Sequence, residues 1–153
     1  MNIRPWAREC LKELSDFYEI IVFTASHSCY ASVVLDYLDP TKELIAHRLY
    51  REHCIPAEMG LQLKNLKILG NRNLKDVLII DNAAYSYGYQ LENGIPCIPF
   101  FNDKADQELK HFVTYAKQIA NVPELVAFNQ SFFKFHMYSE ELNPEVLAEK
   151  LFK

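Results

Sequence analysis

A chain of 153 residues, 50% hydrophobic and 24% charged, is sized for one domain with a real core. Its formal net charge of −4, with Lys and Arg scattered along the sequence, gives no basic footprint for nucleic acid. No apolar run approaches the roughly 20 residues of a membrane span, and the opening stretch, with Arg4, Arg8 and Glu9, lacks the apolar segment of a secretory signal.

Pro5 to Asp16 reads as a short helix, with Pro5 in the first turn, where its missing N–H costs little. Trp6, Cys10, Leu11 and Leu14 recur at helical spacing and are expected to face a sheet. Glu19–Thr24 is an apolar strand that ends in Thr24 and Ser26 hydroxyls. His27 to Leu38 is a second helix with Tyr30, Val33, Val34, Tyr37 and Leu38 on its apolar side and Ser26 as N-cap. Asp39-Pro40 ends it, because proline cannot continue a helix.

His47–Arg51 is a short strand, followed by a loop over residues 52–60 and a turn around Lys64. The apolar run Val77–Ile80 predicts a strand covered on both faces, ending in Asp81 and Asn82. Residues 83–90 form a loop and short helix, Asn93-Gly94 a turn, and Ile95–Ile98 another strand. Asp106 to Ala120 is an amphipathic helix built on Leu109, Phe112, Val113, Ala116, Ile119 and Ala120, with Asp103 or Asp106 as cap. After Pro123 the chain becomes aromatic (Phe128, Phe132, Phe133, Phe135, Tyr138), and Glu141 to Phe152 reads as a terminal amphipathic helix. Strands separated by helices define an α/β fold with a mostly parallel sheet. The expected division is a domain over residues 1–122 and an aromatic extension over 123–153. Cys10, Cys29, Cys54 and Cys97 form no CxxC pair and no zinc spacing, so reduced, half-buried intracellular thiols are expected.

Thr24, Lys64, Asp81 and Asn82 are the positions with chemical meaning. Phosphoryl transfer needs a group to bind the phosphoryl oxygens, a cation to neutralise them and usually a divalent metal. A strand-end hydroxyl, a lysine, and an acid–amide pair after a second strand supply those three functions. Each element alone reads as easily as a cap, a surface charge or a turn; their order together is far more specific.

Arg4-Pro5, Phe23-Thr24-Ala25-Ser26, Leu38-Asp39-Pro40, the run Arg48 to Cys54, Leu63-Lys64-Asn65-Leu66, Leu69-Gly70, and Ile79-Ile80-Asp81-Asn82 resemble the small C-terminal-domain phosphatases. These are also called NLI-interacting-factor-like phosphatases, of the haloacid dehalogenase superfamily. Tyr89-Gln90-Leu91, Asn93-Gly94-Ile95-Pro96 and Asp103 to Leu109 continue the likeness, which covers roughly residues 3 to 120. The mitochondrial import receptor that shares the domain is a more distant match. The resemblance implies a Rossmann-like sheet with a small β insertion near residues 44–60. It implies removal of phosphate from phosphoserine or phosphothreonine in protein tails, notably of RNA polymerase II, with Mg²⁺. Thr24 then corresponds to the phosphate-binding hydroxyl and Lys64 to the phosphate-clamping lysine. Asp81 and Asn82 correspond to the metal motif, and Arg51 to the substrate mouth.

The family's first motif, Asp-x-Asp-x-Thr on a central first strand, has no match among the 153 residues. Asp36-Tyr-Leu-Asp39 and Asp103-Lys-Ala-Asp106 are read as caps or surface. Ala83-Ala84 stands where the family has Ser-Pro, and Phe100 where it has tryptophan. With no nucleophile there is no covalent catalysis, and Mg²⁺ binding is expected to be weak or absent. The missing strand leaves a gap of roughly 10 Å between the strands of Thr24 and Asp81. Three resolutions are expected: a truncated longer phosphatase, a strand donated by a protein partner, or direct pairing of the flanking strands. The Phe-rich stretch either covers the open side or packs on the core. The leading expectation is a catalytically inactive binding or structural subunit of a larger assembly. The alternative is a Mg²⁺-dependent protein serine/threonine phosphatase, truncated here or completed by another chain. Resemblance implies a nuclear or cytoplasmic protein, with a mitochondrial one as the alternative.

Overall fold

Cys10 and Leu14, one helical turn apart, bury the same face of α1 (Ala7–Ser15). This computed structural model describes residues 2–135. The expected helix over residues 141–152, and Tyr138, lie outside them. The chain divides into two compact units, each described by itself.

The first unit runs to Lys64 and takes in Ile98–Asn121. Its elements are α1, β1 (Ile21–Phe23), α2 (Ser28–Leu38), β2 (His47–Leu49), β3 (Ile55–Pro56), β4 (Gln62–Leu63) and α3 (Glu108–Ile119). α1 packs on α3, not on a sheet as expected: Cys10 and Leu14 meet Val113 and Ala116, with Tyr18, Ile20, Leu109 and Phe112 around them. The Tyr18 hydroxyl closes this cluster by donating to the Ala116 carbonyl at 2.6 Å. Trp6, expected in the core, is 41% exposed and lies beneath the Lys110 ammonium, 5.1 Å from the ring centre. Arg4 pins the segment before α1 to the start of α3, donating through Nε and Nη2 to the two Asp106 oxygens at 2.8 and 2.7 Å. Asp106 also accepts from the Glu108 N–H at 3.1 Å, so it serves as ion-pair partner and turn acceptor together.

β1 and β2 are parallel, with Ile21, Val22 and Phe23 opposite His47, Arg48 and Leu49. Backbone bonds from Ala46 to the Ile20 carbonyl and from Thr24 to the Leu49 carbonyl, both 2.9 Å, extend the pairing at each end. α2 is rotated from the orientation read in the sequence. Ala31 and Leu35 are its buried residues, while Tyr30, Val33 and Tyr37 are exposed. Asp39 is the C-cap of α2, its N–H bonding the Leu35 carbonyl, but it is not a surface residue. It is fully buried, and its carboxylate accepts from the Glu43, Leu44 and Ile45 N–H groups at 3.2, 3.1 and 3.0 Å, holding the connection from α2 to β2. The expected β insertion is found as the antiparallel hairpin β3–β4, with Ile55 opposite Leu63.

The second unit comprises Asn65–Cys97 and the chain from Val122. β5 (Ile79–Asp81) pairs in parallel with β6 (Gly94–Pro96), and α4 spans Leu125–Phe133. A 3₁₀ segment, Ala84–Asn93, joins the two strands. Leu66, Ile79 and Tyr87 form the core, with Leu74, Val77 and Leu91 against them. Asn93 and Gly94 do not form the expected turn. Asn93 is buried and donates to the Leu74 and Val77 carbonyls at 2.7 and 2.8 Å, and Gly94 opens β6. Asn129 of α4, fully buried, donates to the Glu92 and Gly94 carbonyls at 2.9 and 2.8 Å. In the aromatic stretch Leu125 and Asn129 face inward, and Phe128 and Phe132 are exposed.

The hydrogen-bonded neighbour of β1 is β2, and that of β5 is β6; among the described residues both sheets have two strands. Direct pairing of the strands that carry Thr24 and Asp81 is thereby overturned. β1 is half-buried throughout, in contrast to the continuous apolar character of its sequence.

Candidate functional site

In the first unit, β1 delivers Thr24 to the start of the loop that leads into α2. The Thr24 Oγ1 accepts from the Ser26 N–H at 3.1 Å, which leaves the hydroxyl hydrogen to point elsewhere. Ser26 is not the expected N-cap: the residue before α2 is His27, with no side-chain cap. The turn Arg51–His53 follows β2 and closes on the same loop. Arg51 donates through its backbone N–H to the Ser26 carbonyl at 3.0 Å and through Nε to the Ala25 carbonyl at 2.9 Å. Its Nη1 stands 3.3 Å from His27 Nε2.

Cys54 ties the cluster together. It is buried, with Sγ 3.9 Å from the Thr24 carbonyl and 3.8 Å from that of Tyr50. Burial pushes its thiol up; the Lys64 and Arg51 cations pull it down by less, and Glu52 adds to the rise. The thiol is therefore a protonated, weakly nucleophilic group at neutral pH. The β3–β4 register, with Ile55 opposite Leu63, sets Lys64 level with Cys54, and Arg51 bonds the loop after Thr24. Lys64, directly after β4, is 8% exposed, an unusual burial for a lysine. Thr24, Arg51 and Lys64, separated by up to 40 positions in sequence, thus converge on one end of the β1–β2 pair. A hydroxyl, a guanidinium and a desolvated ammonium at the N-terminal end of an eleven-residue helix suit an oxyanion.

In the second unit, Asp81 is the last residue of β5 and half-buried, and Asn82 is exposed beside it. One Asp81 oxygen accepts from the Ala83 N–H at 2.8 Å, an Asx turn that fixes the carboxylate at the strand end. A carboxylate and an amide are hard oxygen donors and fit Mg²⁺ as two ligands of a larger set. Among the described residues no group of three or more His, Cys, Asp and Glu residues gathers to hold a metal. Tyr87, unnoticed in the sequence, is fully buried against Leu66 and Ile79, and no periodic signal in residues 83–90 marks it. Burial pushes its phenol up, and the Asp81 carboxylate pushes it further.

A family model described as NLI interacting factor-like phosphatase matches residues 1–126, and the chain belongs to this family. It is 41% identical over 133 residues to CTD small phosphatase-like protein 2 of Dictyostelium discoideum, covering 87% of this chain and 23% of that protein. It is 43% identical over 119 residues to CTD small phosphatase-like protein 3 of Caenorhabditis elegans, covering 78% of this chain and 41% of that protein. A further relative, 38% identical over 117 residues, is the mitochondrial import inner membrane translocase subunit TIM50 of Candida glabrata, with 76% of this chain and 24% of that protein covered. The chain thus spans less than half the length of these relatives. The solved structure of Fcp1, described as an essential RNA polymerase II CTD phosphatase, has the same α/β fold. It matches with a TM-score of 0.55 at 22% identity, over 94% of this chain and 39% of that one.

Proposed function

We propose that this chain is the phosphate- and metal-facing part of a Mg²⁺-dependent protein serine/threonine phosphatase, completed by a segment that carries the nucleophilic carboxylate. The observation that carries the reading is the convergence of Thr24, Arg51 and the buried Lys64 on one loop. A phosphoryl group there receives the Thr24 hydroxyl and two cations, the donors that a transferring phosphoryl group needs. Arg51, the most exposed of the three, faces the substrate peptide. In the second unit Asp81 and Asn82 would supply two oxygen ligands to Mg²⁺, a Lewis acid when bound. The attacking acid, absent from the 153 residues as an Asp-x-Asp-x-Thr motif, belongs to the completing segment.

The relatives named as small phosphatases support this reading over the inert subunit expected first from sequence. One observation favours that second reading: a relative named as a translocase subunit shares the domain. Tungstate, a phosphate mimic, separates the two when titrated into the full chain and followed by amide shifts. The phosphatase reading expects saturable shifts at Ser26, His27 and Arg51 that Lys64→Met weakens at least tenfold. No shift at those amides in the folded chain would sink it.

A further inference from the structure

We infer that Tyr87 is a positioning residue for Asp81: its phenolic hydroxyl donates to the Asp81 carboxylate across one bridging water. This deepens the phosphatase reading and rests on it for the metal-facing role of Asp81.

The argument begins with the β5–β6 register. Ile79 lies opposite Gly94 and Asp81 opposite Pro96. Side chains two apart on a strand share a face, so Ile79 and Asp81 project from the same side of this pair. Tyr87 packs against Ile79 in the core cluster. Its ring lies on Gly94 so closely that a Cβ there would overlap it, standing 2.7 Å from Cζ, the carbon bearing the hydroxyl. Gly94 is thus required by the ring, since its own backbone, at φ −81°, is open to any residue. The ring is seated at the Ile79–Gly94 level of the face that carries Asp81, which lies one same-face step, about 6–7 Å, further along.

Tyr87 is 0% exposed, and its oxygen has no hydrogen-bond partner among the described residues. Buried phenols find acceptors in nearly all folded proteins. Asp81, one same-face step along β5, is the acid on this face, and its carboxylate couples electrostatically to the phenol. The backbone around Tyr87 departs from helical values, at φ −113° and ψ 26°, in the segment that turns its ring onto the strands. Ser86, the other buried hydroxyl without a partner, precedes it and serves as a control.

Tyr87→Phe in the full chain removes one oxygen and keeps the ring. The primary readout is hydrogen exchange at the Ala83 amide, which Asp81 holds, compared with the Ile80 and Ile95 ladder amides. The expected result is exchange at Ala83 faster by about tenfold, with the ladder amides unchanged. Direct Mn²⁺ binding, read by electron paramagnetic resonance, should weaken by roughly 10- to 100-fold, the usual effect of losing a residue behind a ligand. Ser86→Ala should change neither. Unchanged Ala83 exchange in Tyr87→Phe overturns the inference, as does an equal acceleration at the ladder amides or in Ser86→Ala. If Ala83 responds but the wild-type chain takes up no Mn²⁺, the metal-facing reading of Asp81 fails and the Tyr87–Asp81 link stands.

Discussion

The Arg51 guanidinium donates to the Ala25 carbonyl at 2.9 Å, so the turn after β2 and the loop after β1 are held as one piece. Lysine in its place keeps the charge but loses the fork that bonds Ala25 and reaches His27. In a chain completed with its nucleophilic segment, Arg51→Lys should raise KM for a phosphoserine peptide by about tenfold, some 1.4 kcal/mol, while kcat falls less. Steady-state kinetics on the peptide checks this; an unchanged KM removes Arg51 from the substrate mouth.

Lys64 faces Cys54 electrostatically, and this has a consequence at the thiol. The Lys64 cation pulls the Cys54 thiol down against the larger rise from burial. Lys64→Met removes the pull, so the thiolate forms at higher pH. Site-resolved alkylation, followed by mass spectrometry across alkaline pH, should show the Cys54 profile moved to higher pH, with exposed Cys29 unmoved. A Cys54 profile that stays in place would separate Lys64 from this cluster.

Asp39 links sequence to acid stability. Burial raises its pKa, but the N–H donors of Ile45, Leu44 and Glu43 outweigh burial and hold it below the usual carboxylate range. A group depressed in the folded state contributes stability above its unfolded pKa of about 3.9, lost as pH falls through the lower folded value. Asp39→Asn should cost about 1–3 kcal/mol near neutral pH, because one carboxylate oxygen that accepts two backbone bonds is compromised. Urea denaturation at about pH 6 and about pH 3 should show a smaller acid loss in the variant than in the wild type. The variant retains a slope from Asp36 and Asp106, whose arginine partners hold them low as well.

Gly94→Ala sets a methyl against the Tyr87 ring. The overlap is with a fully buried ring that cannot swing aside, so a loss of about 1–3 kcal/mol is expected. Tyr87→Leu leaves room for the methyl, and a double-mutant cycle should find the two changes strongly non-additive. Additivity within error would place the ring elsewhere.

The legible parts of this fold are those where a strong pattern meets a simple environment. Leu109, Phe112, Val113, Ala116 and Ile119 repeat at helical spacing, and α3 buries that stripe. The run before Asp81 reads as a strand, and β5 ends on that acid. α2 was harder to orient, because apolar residues surround it: the small Ala31 and Leu35 face inward, and the larger Tyr30, Val33 and Tyr37 do not. Asp39, Asn93 and Asn129 carry no local sign of burial, since their partners are backbone groups brought near only by folding. At the candidate site Thr24 and Lys64 stood out by their order along the chain. Tyr87 did not, because its contact with Gly94 depends on strand register.

The central claim is that Thr24, Arg51 and Lys64 form a phosphoryl-binding loop of a metal-dependent phosphatase. The most direct measurement is Mg²⁺-dependent hydrolysis of a phosphoserine peptide by the full chain extended with a strand bearing Asp-x-Asp-x-Thr, beside its Lys64→Met variant. The account predicts turnover that requires Mg²⁺ and falls roughly 100- to 1,000-fold in the variant, as when a donor to a developing oxyanion is lost. A folded, extended protein without turnover, or with turnover indifferent to Lys64, would contradict it.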